Sequence, residues 1–303
     1  FFEPIRKSQV RGCKFQKMQQ SNWLKWLSSD ARHFQILSQF TFLIYGILFL
    51  EWDQDWLNYT AAFTGTVGIQ TIFIKTGYAQ NHSYKSAIIT ALGICLLLKT
   101  NSPIIFFCAG AIAIAQKFAI RINGKHLWNP ANFGIIIAII LSGNAWVSPG
   151  QWGNQAIFVL VSSVAAWNVL SRIGRIDTGI IFLLSLSIFE YFRTVVYLEW
   201  GHEVWLHKMT SGSILLFSFF MITDPMSTPF NKKARIVWTV SVAFVSFYLT
   251  NFFFINASVQ WVLFALTPFT PLIDKLAKAS QFNWQKSIQP LFNLKKQTNE
   301  STY

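Results

Sequence analysis

Long apolar runs separated by short polar segments dominate the chain from residue 34 onward. A helix that spans a bilayer needs about 20 mostly apolar residues, and ten runs approach that length. The apolar residues follow one another continuously instead of alternating with polar ones, so the pattern predicts helices rather than strands. The runs lie at residues 34–52, 56–75, 86–99, 103–120, 133–146, 155–171, 177–197, 209–223, 235–255 and 258–274.

Three of these runs, 86–99, 133–146 and 209–223, are too short to span a bilayer unaided. Two of them adjoin the proline-containing breaks Trp128–Pro130 and Thr223–Pro225. Proline interrupts a helix, and freed backbone groups at membrane depth are tolerated only where they are buried in protein or line a cavity. Broken helices in two parts of a chain are typical of a central site in membrane proteins built from inverted repeats. The alternative is that both breaks are cytoplasmic turns.

The composition supports a membrane protein. The chain has 303 residues, of which 52% are hydrophobic and 12% are charged, whereas soluble domains carry about 25% charged residues. So few charges cannot cover the surface of a soluble domain of this length, and the mean hydropathy of +0.38 agrees. An ordinary cytosolic enzyme, a disordered chain and a secreted disulfide scaffold are therefore excluded. The prediction is an all-α polytopic membrane protein with about ten transmembrane helices.

The placement of charge predicts an orientation. The net charge is +13, and the positive residues cluster before the first run, in alternate loops and in the C-terminal tail. The intervening loops carry acidic residues such as Glu51 and Glu203. This alternation follows the positive-inside rule. It predicts a membrane protein, surrounded by the lipid bilayer, with an even number of spans and both termini in the cytoplasm. Because the positive charge is scattered over many loops, no nucleic-acid partner is expected.

Three regions follow from the same pattern. Residues 1–33 are predicted to form a basic cytoplasmic segment, in which Ser21–Asp30 is a short amphipathic surface helix. Residues 34–275 form the transmembrane domain, and residues 276–303 form a polar cytoplasmic tail.

Charged residues inside the hydrocarbon region are expensive and therefore functional candidates. Glu190 and Arg193 lie three residues apart on one helix face, where they either pair with each other or mark an ion pathway. Lys117 and Arg121, one turn apart near the cytoplasmic end of the fourth run, either reach the membrane surface or present positive charge to an anionic cofactor. Asp274 ends the last run, where it can face water.

Polar residues at the two breaks are candidates for cofactor binding. Asp224 precedes Pro225, and such a carboxylate starts a turn and can cap the next helix. A binding role instead requires the carboxylate or the exposed backbone amides to face a cofactor or an ion. Asn129 before Pro130 repeats this arrangement. The predicted cofactor-binding residues are Asn129, Pro130, Asn132, Asp224, Ser227, Thr228, Lys117 and Arg121.

No common catalytic or metal-binding motif is present in the sequence. It contains no P-loop, no G-x-G-x-x-G after a strand, no H-E-x-x-H and no G-x-S-x-G. The five histidines are dispersed, and the three cysteines form no C-x-x-C pair. We therefore predict neither catalytic residues nor a metal site.

Three motifs carry a resemblance to a known family. The run Phe219–Pro229 reads F-F-M-I-T-D-P-M-S-T-P and resembles the F-F-M-A-T-D-P-V-(S/T) signature of the RnfD/NqrB family. These proteins are membrane subunits of the Rnf and sodium-pumping NADH:quinone oxidoreductase complexes. Asn129–Ala131 resembles the N-P-A motif of that family, and Leu266–Asp274 is similar to its N-x-x-x-P-x-I-D close. Trp146–Gly153 resembles a stand-alone branch that includes membrane proteins found with enediyne biosynthesis genes.

The resemblance implies a ten-helix bundle of two inverted five-helix repeats, similar to urea and ammonium channels. It also implies electron transfer through flavin, coupled to cation movement, in a complex with other redox subunits. Relatives that bind FMN covalently use the threonine of an S-G-A-T motif, which this chain lacks; the nearest string is Thr210–Ile214, with isoleucine in that place. Covalent FMN is therefore not expected, whereas non-covalent FMN or riboflavin, another redox cofactor, and loss of redox function stay open.

Two other functions are compatible with the sequence. The implied fold suits a channel or transporter for a small solute, and the stand-alone branch suggests an accessory membrane protein of a biosynthetic pathway. In the electron-transport interpretation the chain is a subunit of an oxidoreductase complex that is not catalytic alone.

Overall fold

A computed structural model describes residues 30–52, 55–79, 82–147, 167, 170–171 and 173–282. The described residues do not include the predicted amphipathic helix at Ser21–Asp30 apart from Asp30 itself, most of the run 155–171, or the tail beyond residue 282. Within them the chain forms helices α1 Ala31–Phe49, α2 Trp56–Lys75, α3 Lys85–Leu97, α4 Pro103–Ala119, α5 Pro130–Ser142, α6 Ile176–Tyr191, α7 His202–Met209, α8 Gly212–Leu216, α9 Lys232–Phe252, α10 Ser258–Leu266 and α11 Thr270–Leu276.

The helices match the apolar runs of the sequence. Apart from 155–171, every predicted run coincides with a helix or with two consecutive ones. The short helix α7 lies in a segment predicted as a loop, because half of its residues are polar and most of them are exposed. By length and composition, two helical segments of the described part can cross a membrane, Ile176–Tyr197 and Lys232–Phe252. The number of ten spans and the two inverted repeats stay predictions.

Two helices continue into π-helical turns, in which each hydrogen bond spans one residue more than in an α-helix. Helix α6 continues as a π-helix over Phe192–Tyr197, and α8 continues as one over Phe217–Met221. Such wide turns are rare and occur most often at functional sites. The second of them leads directly into the predicted break at Thr223–Pro225.

The bundle has an apolar exterior and a partly polar interior. Large apolar side chains project outward at four-residue spacing, as Ile180, Leu184 and Ile188 do on α6. Side-chain amides and hydroxyls are buried on the inward faces of most helices. A soluble domain has the opposite distribution, so this arrangement favours a bundle surrounded by lipid. The buried amides are those of Gln39, Asn58, Gln70, Gln116, Asn129, Asn132, Asn251 and Gln260.

Glycine allows the closest helix contacts, which are made between α2, α4 and α5. A Cβ atom on Gly110 of α4 would lie 2.7 Å from the carbonyl oxygen of Ala62 on α2. A Cβ atom on Gly134 of α5 would collide with the carbonyl oxygen of Ala109 on α4. Small residues at such crossings let helix backbones approach each other, as is common in membrane bundles.

Two short antiparallel strand pairs join the ends of helices. Strand β1 (Leu98–Lys99) follows α3 and pairs with β4 (Trp146–Val147) after α5. Strands β2 (Arg121–Ile122) and β3 (Lys125–His126) form a hairpin between α4 and α5. The hairpin supplies several residues of the site described next.

Candidate functional site

One cavity of about 310 Å³ lies inside the bundle. Its wall is built by α1, α2, α3, the end of α4, the β2–β3 hairpin, the start of α5, and the segment from α8 to Met226. The two proline-containing breaks predicted from the sequence therefore meet at one cavity. Five of the eight predicted cofactor-binding residues line it, namely Lys117, Arg121, Asn129, Pro130 and Asp224.

The β2–β3 hairpin brings charged residues to the cavity. Its two-residue turn is Asn123–Gly124, and both residues have positive φ values, 52° and 80°. Asn-Gly favours this turn because both residues tolerate positive φ. Arg121 and His126 are cross-strand partners, and both line the cavity. The Asn-Gly dipeptide was the sequence signal that could have located this hairpin.

The break at Asn129 is a helix start. The side-chain oxygen of Asn129 accepts a hydrogen bond from the backbone N–H of Asn132 at 3.2 Å, and Pro130 is the first residue of α5. This is the usual arrangement of an N-cap followed by proline. The cap holds Asn129 and Pro130 at the cavity wall.

The Asp224 carboxylate starts a turn, as predicted, but it does not cap the next helix. Its Oδ1 accepts a hydrogen bond from the Met226 N–H at 3.0 Å, and its backbone carbonyl accepts one from the Thr228 hydroxyl at 2.9 Å. The next helix, α9, begins eight residues later at Lys232 and is capped by Asn231. The carboxylate of Asp224 therefore lies at the cavity wall instead of at a helix end.

His126 faces Asp224 across the cavity wall. Its Nε2 lies 3.1 Å from Asp224 Oδ2, although the residues are 98 positions apart in the chain. Burial alone would raise the pKa of Asp224, but His126 and the Met226 N–H outweigh it and hold that pKa below its usual value. His126 is one of five dispersed histidines in the sequence, and no local pattern predicts this pairing.

Lys125 holds the loop that follows Asp224. Its Nζ donates to the Thr228 carbonyl at 2.6 Å and to Asp274 Oδ2 at 2.7 Å, and it lies 3.8 Å from the centre of the Phe230 ring. The Phe230 N–H donates to the other carboxylate oxygen of Asp274 at 2.8 Å. Burial lowers the pKa of Lys125, and the neighbouring Asp274 opposes this shift. The expectation that Asp274 simply faces water is wrong, because both of its oxygens bind protein groups.

Two arginines hold the same loop from the other side. Arg175 donates to the Pro229 carbonyl at 3.1 Å. Arg235 donates to the carbonyls of Pro229 and Phe230 at 3.4 and 3.2 Å, and to Asp177 at 2.7 Å. Burial and the neighbouring Arg235 lower the pKa of Arg175 to about 10. We call Lys125, Arg175 and Arg235 the cationic clasp, because together they bind three consecutive loop carbonyls.

One side of the cavity is positively charged. Lys117 donates from Nζ to the Ser86 hydroxyl at 2.9 Å, and Arg121 donates from Nε to the Lys117 carbonyl at 2.9 Å. Both cations lie near the Phe118 ring, about 5 Å from its centre. Neither lies within ion-pair distance of a carboxylate among the described residues. This side of the cavity is therefore suited to an anionic group.

Three predicted residues lie beside the cavity rather than on its wall. Asn132, Ser227 and Thr228 are almost completely buried and are absent from the lining. Asn132 donates from Nδ2 to the Gln260 carbonyl at 3.1 Å, which joins α5 to α10. Thr228 connects the Asp224 turn to Lys125 through the hydrogen bonds described above. Asn132 and Thr228 thus support the site from behind.

Glu190 and Arg193 lie away from the cavity and do not pair with each other. Glu190 forms an ion pair with Lys208 of α7, with Nζ at 2.9 Å, and accepts a hydrogen bond from the Asn251 amide at 2.7 Å. Arg193 donates to the Asn251 carbonyl at 3.4 Å and stacks 4.5 Å from the centre of the Phe252 ring. The expected Glu190–Arg193 pair is thus wrong, since Lys208 of α7 takes that place. An ion-pathway role for the two residues stays a prediction.

Two glutamines of the cavity wall were not foreseen. Gln39 on α1 and Gln70 on α2 line the cavity, and their side chains are buried. Neither side-chain oxygen has a hydrogen-bond partner among the described residues. A single glutamine in an apolar run gives no sequence signal that distinguishes a ligand-binding residue from a satisfied core residue.

Comparison with known proteins supports the resemblance given by the motifs. The model of the NQR2, RnfD, RnfE family matches residues 140–283. A protein of the ion-translocating oxidoreductase complex of Stutzerimonas stutzeri is 22% identical over 193 residues, which make up 62% of this chain and 54% of that protein. The chain thus spans about half the length of this curated relative. The resemblance to the RnfD/NqrB family that the motifs predict is confirmed. The range matched by the family model contains the Asp224 turn and two members of the cationic clasp, Arg175 and Arg235.

Proposed function

We propose that this protein is an integral membrane component of an electron-transport system of the Rnf/Nqr type. The relative described above is named as one subunit of an ion-translocating oxidoreductase complex. The observation that carries the proposal is that the two family motifs, Asn129–Ala131 and Phe219–Pro229, meet at one cavity. In this function the chain moves electrons within or across the membrane, with ion transport coupled to that movement.

The proposed environment is the bacterial inner membrane. The apolar exterior and the buried amides of the bundle support a lipid surrounding. The alternation of basic and acidic loops supports cytoplasmic termini. Electrons then have to come from other subunits of the complex, because the chain is proposed not to be catalytic alone.

We propose a non-covalently bound flavin, FMN or riboflavin, as the ligand of the cavity. The volume of about 310 Å³ lies within the range of small-molecule sites, roughly 300–1,000 Å³. Phe118, Phe219 and Phe220 contribute apolar wall, against which a flat ring can pack. A bound flavin supplies one- and two-electron chemistry.

Each part of the wall has a proposed role toward this cofactor. Lys117 and Arg121 hold an anionic group such as a phosphate, because they have no carboxylate partner of their own among the described residues. Asn129 and Asp224 orient the ring by hydrogen bonding, and the phenylalanines exclude water. The cationic clasp holds the Asp224 loop in place.

Covalent attachment is not part of the proposal. The segment that most resembles S-G-A-T lies at the start of α8, where Gly212 and Ser213 are buried and isoleucine follows. Without a threonine hydroxyl at that position, the segment has no group equivalent to the one that carries the phosphoester.

The test is to purify the full chain in detergent, record its visible absorbance spectrum and extract any bound cofactor. The proposal expects a flavin spectrum that is lost on denaturation, together with release of free flavin. Purified protein that carries no chromophore and takes up neither FMN nor riboflavin would overturn the flavin assignment.

A charge substitution tests the proposed role of Lys117. Replacing Lys117 by methionine is expected to weaken FMN binding at least about tenfold, the magnitude of one charge-assisted hydrogen bond, and to leave riboflavin binding nearly unchanged. Lys75→Met is the matched control, because Lys75 is exposed at the end of α2 and absent from the cavity wall. Equal losses for FMN and riboflavin would contradict the role.

A further inference from the structure

Gln39 and Gln70 mark a part of the cavity that the proposed function does not use. Gln39 is 4% exposed and Gln70 is 2% exposed, and both line the cavity. The side-chain oxygens of both have no hydrogen-bond partner among the described residues. A buried amide oxygen without a partner destabilises the folded protein, so each such group in a native structure requires an explanation.

The two amides are buried in the wall of the cavity, on two different helices. Gln39 is seven residues beyond Arg32 on α1, which is about 10 Å further along the helix. Its Nε2 lies 4.0 Å from the position that a Cβ atom on Gly93 would occupy, so the amide rests against α3. Gln70 projects from α2, five residues before the end of that helix at Lys75.

Gln116 shows that an unpartnered amide alone does not define a binding residue. It is 4% exposed, and neither its oxygen nor its nitrogen has a partner among the described residues. It lies on α4 but does not line the cavity. Gln39 and Gln70 differ from Gln116 because both of them line the cavity.

We propose that Gln39 and Gln70 recognise the inner end of the ligand, and that this end carries an adjacent N–H and C=O, as in an amide or an imide. A side-chain amide presents one donor and one acceptor side by side and therefore matches such an edge. The inference rests on the proposed function, since it concerns the ligand of the same cavity. Both residues lie outside the range 140–283 matched by the family model.

The experiment measures binding of two probes to the full chain in detergent. Riboflavin has the imide N–H, and N3-methylriboflavin lacks it while keeping the ring. The dissociation constants are measured for the wild type, Gln39→Leu, Gln70→Leu and the control Gln116→Leu. Leucine is similar in size to glutamine and removes only the hydrogen-bonding groups.

The inference expects wild-type protein to bind riboflavin about tenfold more tightly than the methylated probe, the effect of one lost buried hydrogen bond. Gln39→Leu or Gln70→Leu should weaken riboflavin binding by a similar factor and remove the preference, whereas Gln116→Leu should behave like the wild type. Riboflavin binding that is indifferent to Gln39→Leu and Gln70→Leu overturns this inference alone. A wild type that binds no flavin overturns the proposed function and this inference with it.

Thermal unfolding without ligand provides the second measurement. If the amides serve the ligand, removing them should leave the melting temperature unchanged or raise it, because an unpaired buried polar group is lost. A marked fall in melting temperature for Gln39→Leu and Gln70→Leu, but not for Gln116→Leu, would show that they are structural and would overturn the inference.

Discussion

The two buried carboxylates Asp224 and Glu190 are similar in exposure and different in their partners. Their side chains are 13% and 7% exposed. Asp224 faces His126 at the cavity, and Glu190 faces Lys208 and Asn251. Glu190 and Asp177, the partner of Arg235, both lie on α6. They are 13 residues apart, which corresponds to about 20 Å along the helix.

The difference concerns the chemistry of the partner. Histidine is the side-chain type whose charge changes between about pH 5 and 8, whereas lysine keeps its charge to about pH 10. Asp224 and its partner His126 both line the cavity. Glu190 and its partner Lys208 lie away from the cavity and join α6 to α7. The cavity end is thus suited to respond to a ligand, and the Glu190 end is suited to hold α7 against α6.

The largest effect is expected from cutting the cationic clasp at the cavity end. Lys125→Met leaves the Asp274 carboxylate without a cation and the Thr228 carbonyl without its donor. We expect a loss of about 3 kcal/mol in the free energy of unfolding, measured by thermal or chemical unfolding in detergent. Lys275→Met, which removes an exposed lysine at the end of α11, is the control and should cost less than about 0.5 kcal/mol. Equal effects would mean that the clasp does not stabilise the loop.

A smaller effect is expected at the Glu190 end. Lys208→Met leaves a buried carboxylate without a cation and should cost about 1–2 kcal/mol in the free energy of unfolding, because Lys208 is itself about one-third exposed. Glu190→Gln keeps the contact with Asn251 and should cost less. The double variant should recover part of the loss, since it removes the unpaired charge. A double variant less stable than Lys208→Met would contradict the pairing.

The smallest effect is expected at Asp30. This residue tests whether the behaviour of a carboxylate depends on the type of its charged partner or on its location near the cavity. Asp30 lies near the cavity, but it pairs with the permanent cations Arg32 and Lys85 at 2.7 and 2.8 Å. Burial alone would raise its pKa, yet these two cations outweigh burial and hold it well below the usual value. The stability that it contributes should therefore be constant above the ordinary aspartate pKa of about 3.9 and be lost as the pH falls through the lowered pKa.

Asp30→Asn measures this contribution, because asparagine keeps the helix cap and removes the charge. The variant should lose about 1 kcal/mol at neutral pH, because Asp30 is buried and paired while both cations are themselves partly exposed to water. Its stability should fall less than that of the wild type when unfolding is followed from pH 5 to 3. If the contribution of Asp30 to the free energy of unfolding of the wild type changes between pH 6 and 8, the location of a carboxylate, and not the type of its partner, controls its contribution.

The sequence was sufficient to predict the helices, because long apolar runs are a local property. Asn129 and Pro130 were recognised as a helix start for the same reason. The ion pairs were not predictable, because they depend on contacts across the fold. His126 and Asp224 are separated by 98 residues, and Lys125 and Asp274 by 149. Glu190 was expected to pair with Arg193 on its own helix, and only tertiary packing brings Lys208 to it.

The cavity itself was only partly predictable. The resemblance of Asn129–Ala131 and Phe219–Pro229 to family motifs pointed to these segments, and both meet at the cavity. Gln39 and Gln70 carry no pattern, since their burial and lack of partners are visible only in three dimensions. The turn at Asn123–Gly124 was readable from its dipeptide alone, and it would have placed Arg121 and His126 side by side.

The π-helical turn at Phe217–Met221 makes the number of residues before Asp224 as important as their identity. A one-residue deletion within this turn would restore α-helical hydrogen bonding and change the phase of the helix by about 100°. Asp224 would then point away from His126 even though every contacting residue was unchanged. Relatives of this chain that differ in length at this turn should therefore differ in what their cavity presents, independently of the side chains that line it.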